Sequence, residues 1–234
     1  MELRTSQSEL ITNFAKSIRD KSNFDSVKMQ GDIYFQNKYK KKNKFDLGNL
    51  MMASHDFSNG NLVESVKRLE YILKKEPKFQ SAHYLYIQIL IKLNFESKIN
   101  NALRKALKFH PEDSLFLNLF GKNLLFNGNK FKALKFLEKA VEMCPHESTF
   151  WLDLGFCYFI LNNIKMAELC LSTTKNINPK HKRYFMLRAL LLQEKSMFNE
   201  ALDEYNKAIE LYPNDDAVLV DMSIHYLRMG QKDI

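Results

Sequence analysis

Five prolines fall in this chain, at Pro77, Pro111, Pro145, Pro179 and Pro213, and each lies 34 residues after the one before. Proline has no backbone N–H and pushes the residue before it out of helical geometry, so it ends helices. A stop repeated at one fixed interval means that one structural unit is repeated, and a unit of 34 residues is long enough for two short helices and two turns. Only 7 glycines accompany the 5 prolines, which leaves little material for long loops or a β-rich fold.

The interval from Phe150 to Pro179 shows what the unit contains. Trp151, Leu154, Gly155 and Tyr158 lie at offsets 0, 3, 4 and 7, the spacing of one helix face, with glycine leaving room for a neighbouring helix. Ala167 and Leu171 follow on a second helix and face the gap that the glycine opens, and Pro179 closes the unit. These residues, in this order and at this period, resemble the tetratricopeptide-repeat family.

The resemblance implies an all-α fold, a right-handed α-solenoid of antiparallel helix pairs. In the register of Pro179 the repeats occupy 46–79, 80–113, 114–147, 148–181 and 182–215, with a partial sixth at 216–234, so residues 46–234 form the array and 1–45 precede it. The other repeats follow with varying fidelity. The third has Leu117, Phe120, Gly121 and Leu124, then the turn Asn127-Gly128-Asn129; the first turns at Gly60; the second has His83 where Trp is typical; the fifth has Arg188 at a packing position.

Residues 1–45 lie outside the repeat. Ser6 and Glu9 have capping-box spacing, and Leu10, Ile11, Phe14, Ala15 and Ile18 recur at helical intervals, which predicts an amphipathic helix over 7–19. Its apolar stripe must be buried as a cap on the first repeat, in the groove or against another chain, and the cap is the expected role because solenoids need covered ends. The basic run Lys38, Lys40, Lys41, Lys42 and Lys44 supplies much of the net charge of +8 and reads as a solvated linker. At the other end, Val218, Val220, Ile224 and Leu227 widen the apolar face of the sixth unit's helix. The expectation is that the natural protein continues past Ile234 or that this helix meets another subunit, giving a homo-oligomer through this helix or the N-terminal one.

No catalytic motif is legible: the chain has no G-x-S-x-G, no glycine-rich phosphate loop, no H-E-x-x-H and no C-x-x-C. No cofactor and no metal are expected. His110, His146 and His181 sit beside the repeat-closing prolines and read as surface loop residues; Glu112-Asp113 and Asp215-Asp216 read as helix caps. Cys144, Cys157 and Cys170 are an odd set without a disulfide framework. With no signal segment and no long apolar run, they place the chain in a reducing, cytoplasmic compartment.

The resemblance further implies a concave groove lined by fixed positions of each first helix. Carried onto this chain, those positions give Tyr84 and Gln88 in the second repeat, Asn118, Lys122 and Phe126 in the third, Leu152, Phe156 and Phe159 in the fourth, and Arg183, Met186 and Leu190 in the fifth. The family's packing does not require them, so Leu152, Phe156, Phe159 and Met186 are expected as an exposed apolar strip flanked by hydrogen-bonding groups, the surface of a peptide-binding groove. Chaperone-tail receptors of the family place Lys before Asn in one repeat; here Asn118 precedes Lys122, and the pattern is broken.

The function expected is therefore a non-catalytic adaptor, scaffold or chaperone that binds an apolar segment of a partner protein. An alternative is the N-terminal recognition part of a larger enzyme. A nucleic-acid partner is disfavoured, because Leu152, Phe156, Phe159, Met186 and Leu190 offer few groups to read bases.

Overall fold

The computed structural model describes residues 44–213, with Val220 and Ser223 as isolated positions beyond. The expected N-terminal helix, almost all of the basic run, the Asp215-Asp216 cap and the sixth unit lie outside this range. Ten α-helices and no strands occur among the described residues: α1 Lys44–Ser58, α2 Leu62–Lys75, α3 Gln80–Lys92, α4 Glu96–Phe109, α5 Ser114–Phe126, α6 Lys130–Met143, α7 Ser148–Ile160, α8 Ile164–Ile177, α9 Lys182–Glu194 and α10 Phe198–Leu211.

Two chemical rules generate this order. Glu76, His110, Cys144, Asn178 and Tyr212, the residues preceding the five prolines, all leave helical geometry, with φ between −122° and −143° and ψ between 64° and 90°. Proline's ring forbids helix at the residue before it, so every even-numbered helix stops there. The odd-numbered helices end in a left-handed residue, and these too are 34 apart: Gly60, Asn94, Gly128, Asn162 and Ser196, with φ between 57° and 80°. Each closes a Schellman cap. At Gly128 its N–H donates to the Leu125 carbonyl and the Asn129 N–H to the Leu124 carbonyl, and the same pair of bonds recurs at the other four turns. Glycine adopts this conformation freely and asparagine with little penalty; Ser196 is the strained member.

The described chain divides into two compact units between Phe116 and Leu117. In the first, Leu50, Ala53 and Phe57 of α1 form a core with Leu69 and Ile72 of α2, Phe79, and Ala82 and Ile89 of α3. The Ser65 hydroxyl donates to the Ala53 carbonyl at 2.7 Å inside it, and Arg68 pairs with Asp56 at 2.7 Å beside it. His83 occupies the position that Trp151 holds in the fourth repeat. Its Nε2 lies 2.8 Å from the Pro77 carbonyl, as the Trp151 indole N–H lies 2.8 Å from that of Pro145. The imidazole thus reproduces the indole's tie to the proline turn.

In the second unit two glycines set the helix spacing. A Cβ on Gly121 would come within 2.7 Å of Leu137 on α6; one on Gly155 would meet Cys170 on α8 at 3.0 Å and Leu187 on α9 at 3.2 Å. Ala133, Leu137 and Ala140, then Ala167 and Leu171, then Ala201, Tyr205 and Ala208 are all buried, each row belonging to a second helix. Cys157 and Cys170 are buried free thiols, and burial pushes both up to about 12. They act as small apolar groups.

Candidate functional site

The candidate site is built from the first helices of three repeats, of which α5 and α7 are strongly apolar. Helix α7 reads S-T-F-W-L-D-L-G-F-C-Y-F-I, and Asp153 is its only charged residue. A lone carboxylate buried in such a helix requires partners. They come from the two neighbouring first helices. Arg183 of α9 donates through Nη2 to Asp153 Oδ1 at 2.5 Å, and the Lys122 ammonium of α5 lies 3.5 Å from Oδ2.

Asp153 and Arg183 are each 2% exposed, and the Lys122 side chain is 13% exposed. Burial alone would raise the Asp153 carboxyl. The Arg183 guanidinium, then the Lys122 ammonium, more than reverse that and hold it below the ordinary carboxylate value, and the buried Asn118 amide also bears on it. The group is therefore an anion at every ordinary pH. Burial pushes Lys122 down to about 8, against the attraction of Asp153. His181, which precedes α9, falls to about 4, chiefly through burial and then through Arg183, and stays neutral.

Four expected groove residues surround this cluster's helices: Leu152 and Phe156 on α7, Met186 and Leu190 on α9. None is more than 3% exposed. The apolar strip expected at the surface is covered, because its side chains lie beneath neighbouring atoms and not against solvent. Phe159 and Phe126 are half-buried. The rings of Phe156 and Phe159 stack at 6.2 Å with 25° between planes, so Phe159 is an accessible edge continuous with the buried strip.

Tyr84 and Gln88 belong to the first unit. Tyr84 is already engaged: its ring stacks on Phe116 at 4.2 Å, and its hydroxyl donates to Asp113, which also accepts from the Gln80 amide. The other Asp113 oxygen accepts from the Phe116 N–H at 2.9 Å, so the carboxylate caps α5 while holding Tyr84. Gln88 is half-buried.

Asp153, the centre of the cluster, falls outside the fixed repeat positions that define the groove. The signal available was its isolation as the one charge in α7. Arg188, odd at a packing position, reaches the buried Glu204 of α10 at 3.7 Å and donates to the Tyr184 hydroxyl at 3.1 Å. Of the three loop histidines expected at the surface, His146 is exposed, whereas His110 and His181 are half-buried. No group of three or more His, Cys, Asp or Glu able to hold a metal occurs among the described residues. No helix among them is long and apolar enough to cross a membrane.

A tetratricopeptide-repeat family model matches residues 132–191, and a second matches 183–215. Residues 132–215 are tetratricopeptide repeats. The chain's fold class, an all-α helical-repeat solenoid, is shared with the crystal structure of YrrB, a tetratricopeptide-repeat protein with an unusual peptide-binding site. That match has a TM-score of 0.58 and 19% identity, and it covers 73% of this chain and 88% of that one. Among curated relatives, this repeat protein is 24% identical over 209 residues to the aspartyl/asparaginyl beta-hydroxylase of Mus musculus, across 82% of its own length and 28% of the relative's. It is 30% identical over 115 residues to the anaphase-promoting complex subunit CDC16 of Saccharomyces cerevisiae, across 46% of its own length and 14% of the relative's. The repeat protein thus spans under a third of either relative. A fold of this kind is a protein-interaction scaffold.

Proposed function

We propose that the chain is an adaptor that holds an apolar segment of a partner protein along α5, α7 and α9, without making or breaking bonds. The observation that carries this reading is the juxtaposition of the stacked Phe156 and Phe159 with the locked Lys122–Asp153–Arg183 cluster. Rigid aromatic and aliphatic side chains supply contact area at little entropic cost, and ionic groups already fixed by each other supply orientation. YrrB, which shares the fold, has a peptide-binding site, and CDC16 is a subunit of a larger complex; both roles fit the same surface.

The test is peptide selection on the immobilised full chain. Enrichment of sequences with two or more large apolar residues, lost with Phe159→Glu while circular dichroism stays helical, supports the reading. Absence of enrichment, or enrichment indifferent to Phe159→Glu, overturns it.

A second reading is favoured by the likeness to the mouse hydroxylase, of which the matched stretch is 28%. Here the repeats would present a substrate protein to a catalytic domain that follows them in the same polypeptide. Sequencing the gene past codon 234 separates the two: a stop codon there removes this reading, and an open frame into a catalytic domain establishes it.

A further inference from the structure

The second helices of the second unit carry a charge pattern that the groove does not use. Helices α6 and α8 both pack on α7, and α8 and α10 both pack on α9, so α6, α8 and α10 follow one another along the groove helices. Residues 34 apart hold the same place on each of them. One such row reads Lys135, Leu169, Asp203, and all three are exposed, Leu169 by 54%. Another reads Lys132, Met166, Glu200, with both charges exposed and Met166 half-buried. Each row thus runs from a cation through an apolar side chain to an anion.

Nothing among the described residues answers these charges. Lys132 and Lys135, three apart on α6, repel each other, as do Glu200 and Asp203 on α10, and like charges at that spacing weaken a helix. None of the four has an ion-pair partner among the described residues; nearby, Lys195 takes Glu168 and Lys207 takes the buried Glu204. A half-turn about an axis parallel to α8, lying over its exposed side, reverses each row. Lys135 then faces Asp203 of a second copy, Lys132 faces Glu200, and Leu169 and Met166 face themselves. The surface is complementary to its own image, as a two-fold interface requires. An unrelated partner would have to match the reversed order of signs, whereas a second copy has it by construction. Outside the two rows like charges meet: Lys139 faces Lys207, Glu142 faces Glu210 and Lys165 faces its own copy. These limit the contact to the first two turns of each helix, a small and reversible interface.

We infer that two copies of the chain associate through the exposed sides of α6, α8 and α10, with Leu169 on the two-fold axis and the pairs Lys135–Asp203 and Lys132–Glu200 on both sides of it. Exposed ion pairs contribute little apiece, so the apolar contact at Leu169 and Met166 supplies attraction and the charges set the partner and the register. Charges of this kind are screened by salt, which makes the association salt-sensitive. The groove helices α5, α7 and α9 take no part, so each copy keeps its own groove and the dimer presents two of them. The inference goes beyond the adaptor reading and does not depend on it.

The experiment is sedimentation equilibrium on the full chain and on the charge-reversal variants Lys135→Asp and Asp203→Lys, which change exposed residues and leave the buried rows intact. At low salt the wild type should rise from the mass of one chain towards that of two as concentration is raised. It should return towards one in about 1 M salt, where the screening length is about 3 Å. Each variant alone meets like charges across the axis and should associate at least about tenfold more weakly. Their equimolar mixture should recover a heterodimer, because the row around Leu169 is then acidic at both ends in one variant and basic at both ends in the other. A wild type that stays one chain throughout, a dimer indifferent to the single variants, or variants that stay apart on mixing overturns the inference. Association through either end of the chain gives the second of these results. Assemblies that grow past two without limit overturn the two-fold arrangement. Peptide selection on Lys135→Asp should match the wild type, so failure of the adaptor reading and failure of this inference are read separately.

Discussion

Removing the Asp153 carboxylate by Asp153→Ala strands two cations. Arg183, 2% exposed, loses its 2.5 Å bond, and Lys122 loses an anion 3.5 Å away. Breaking a buried pair by deleting one partner costs about 3–5 kcal/mol, because the remaining charge stays desolvated. Lys122 can shed its proton, since its value already stands near 8; Arg183 cannot. The loss should therefore come mainly from Arg183 and fall at about 3–4 kcal/mol. Replacing both charges, as Asp153→Leu/Arg183→Met, removes the stranded cation and should recover most of that loss. The assay is urea unfolding followed by circular dichroism, with the wild type, Asp153→Leu, Arg183→Met and their double variant forming a cycle beside Asp153→Ala. A cost below about 1 kcal/mol for Asp153→Ala, or a double variant no better than the single one, would refute the buried cluster.

Other consequences follow from the same geometry. Gly155→Leu must push against Cys170 and Leu187, whose atoms already lie 3.0 and 3.2 Å from the first added carbon, and thermal melts should show a loss of about 1–3 kcal/mol or more. Ser196→Gly relieves a left-handed serine at φ 60° and should stabilise by about 0.5–1 kcal/mol after glycine's entropic cost, read as a raised urea midpoint. In acid, His181 binds its proton less readily when folded, at about 4 against an ordinary 6.5, so stability should fall as pH drops between those values. Asp153, held low, contributes stability that is present above the ordinary carboxylate range and lost only at still lower pH. His181→Gln should flatten the upper part of that acid limb in pH-dependent melts and leave the lower part in place.

The helix ends were legible because proline acts locally: whatever packs around it, it leaves one residue unable to continue the helix. The left-handed turns were legible only where glycine marked them, at Gly60 and Gly128. At Asn94, Asn162 and Ser196 the same φ is imposed by the cap's hydrogen bonds on residues that other contexts place elsewhere. His83 in the role of Trp151 is a substitution of one N–H for another, visible once the Pro77 carbonyl is in place.

The candidate site was less legible, for a different reason. Repeat positions identify which side chains point toward a groove, and the ion-paired Lys122 and Arg183 were found that way. They do not reveal which of those side chains pair with each other, since Asp153 occupies a position outside the set. Nor do they reveal coverage: Phe156 and Met186 are apolar enough to bind a partner and equally suited to being buried, and only three-dimensional burial distinguishes the two.

The most direct test of the account compares peptide binding by the full chain and by Phe159→Glu/Lys122→Ala, after circular dichroism has established that both are helical. An apolar peptide from the selection should bind the wild type and lose at least about tenfold in affinity on the variant, a difference of about 1.4 kcal/mol. Equal affinity for the two chains would place the binding surface away from α5, α7 and α9 and contradict the account.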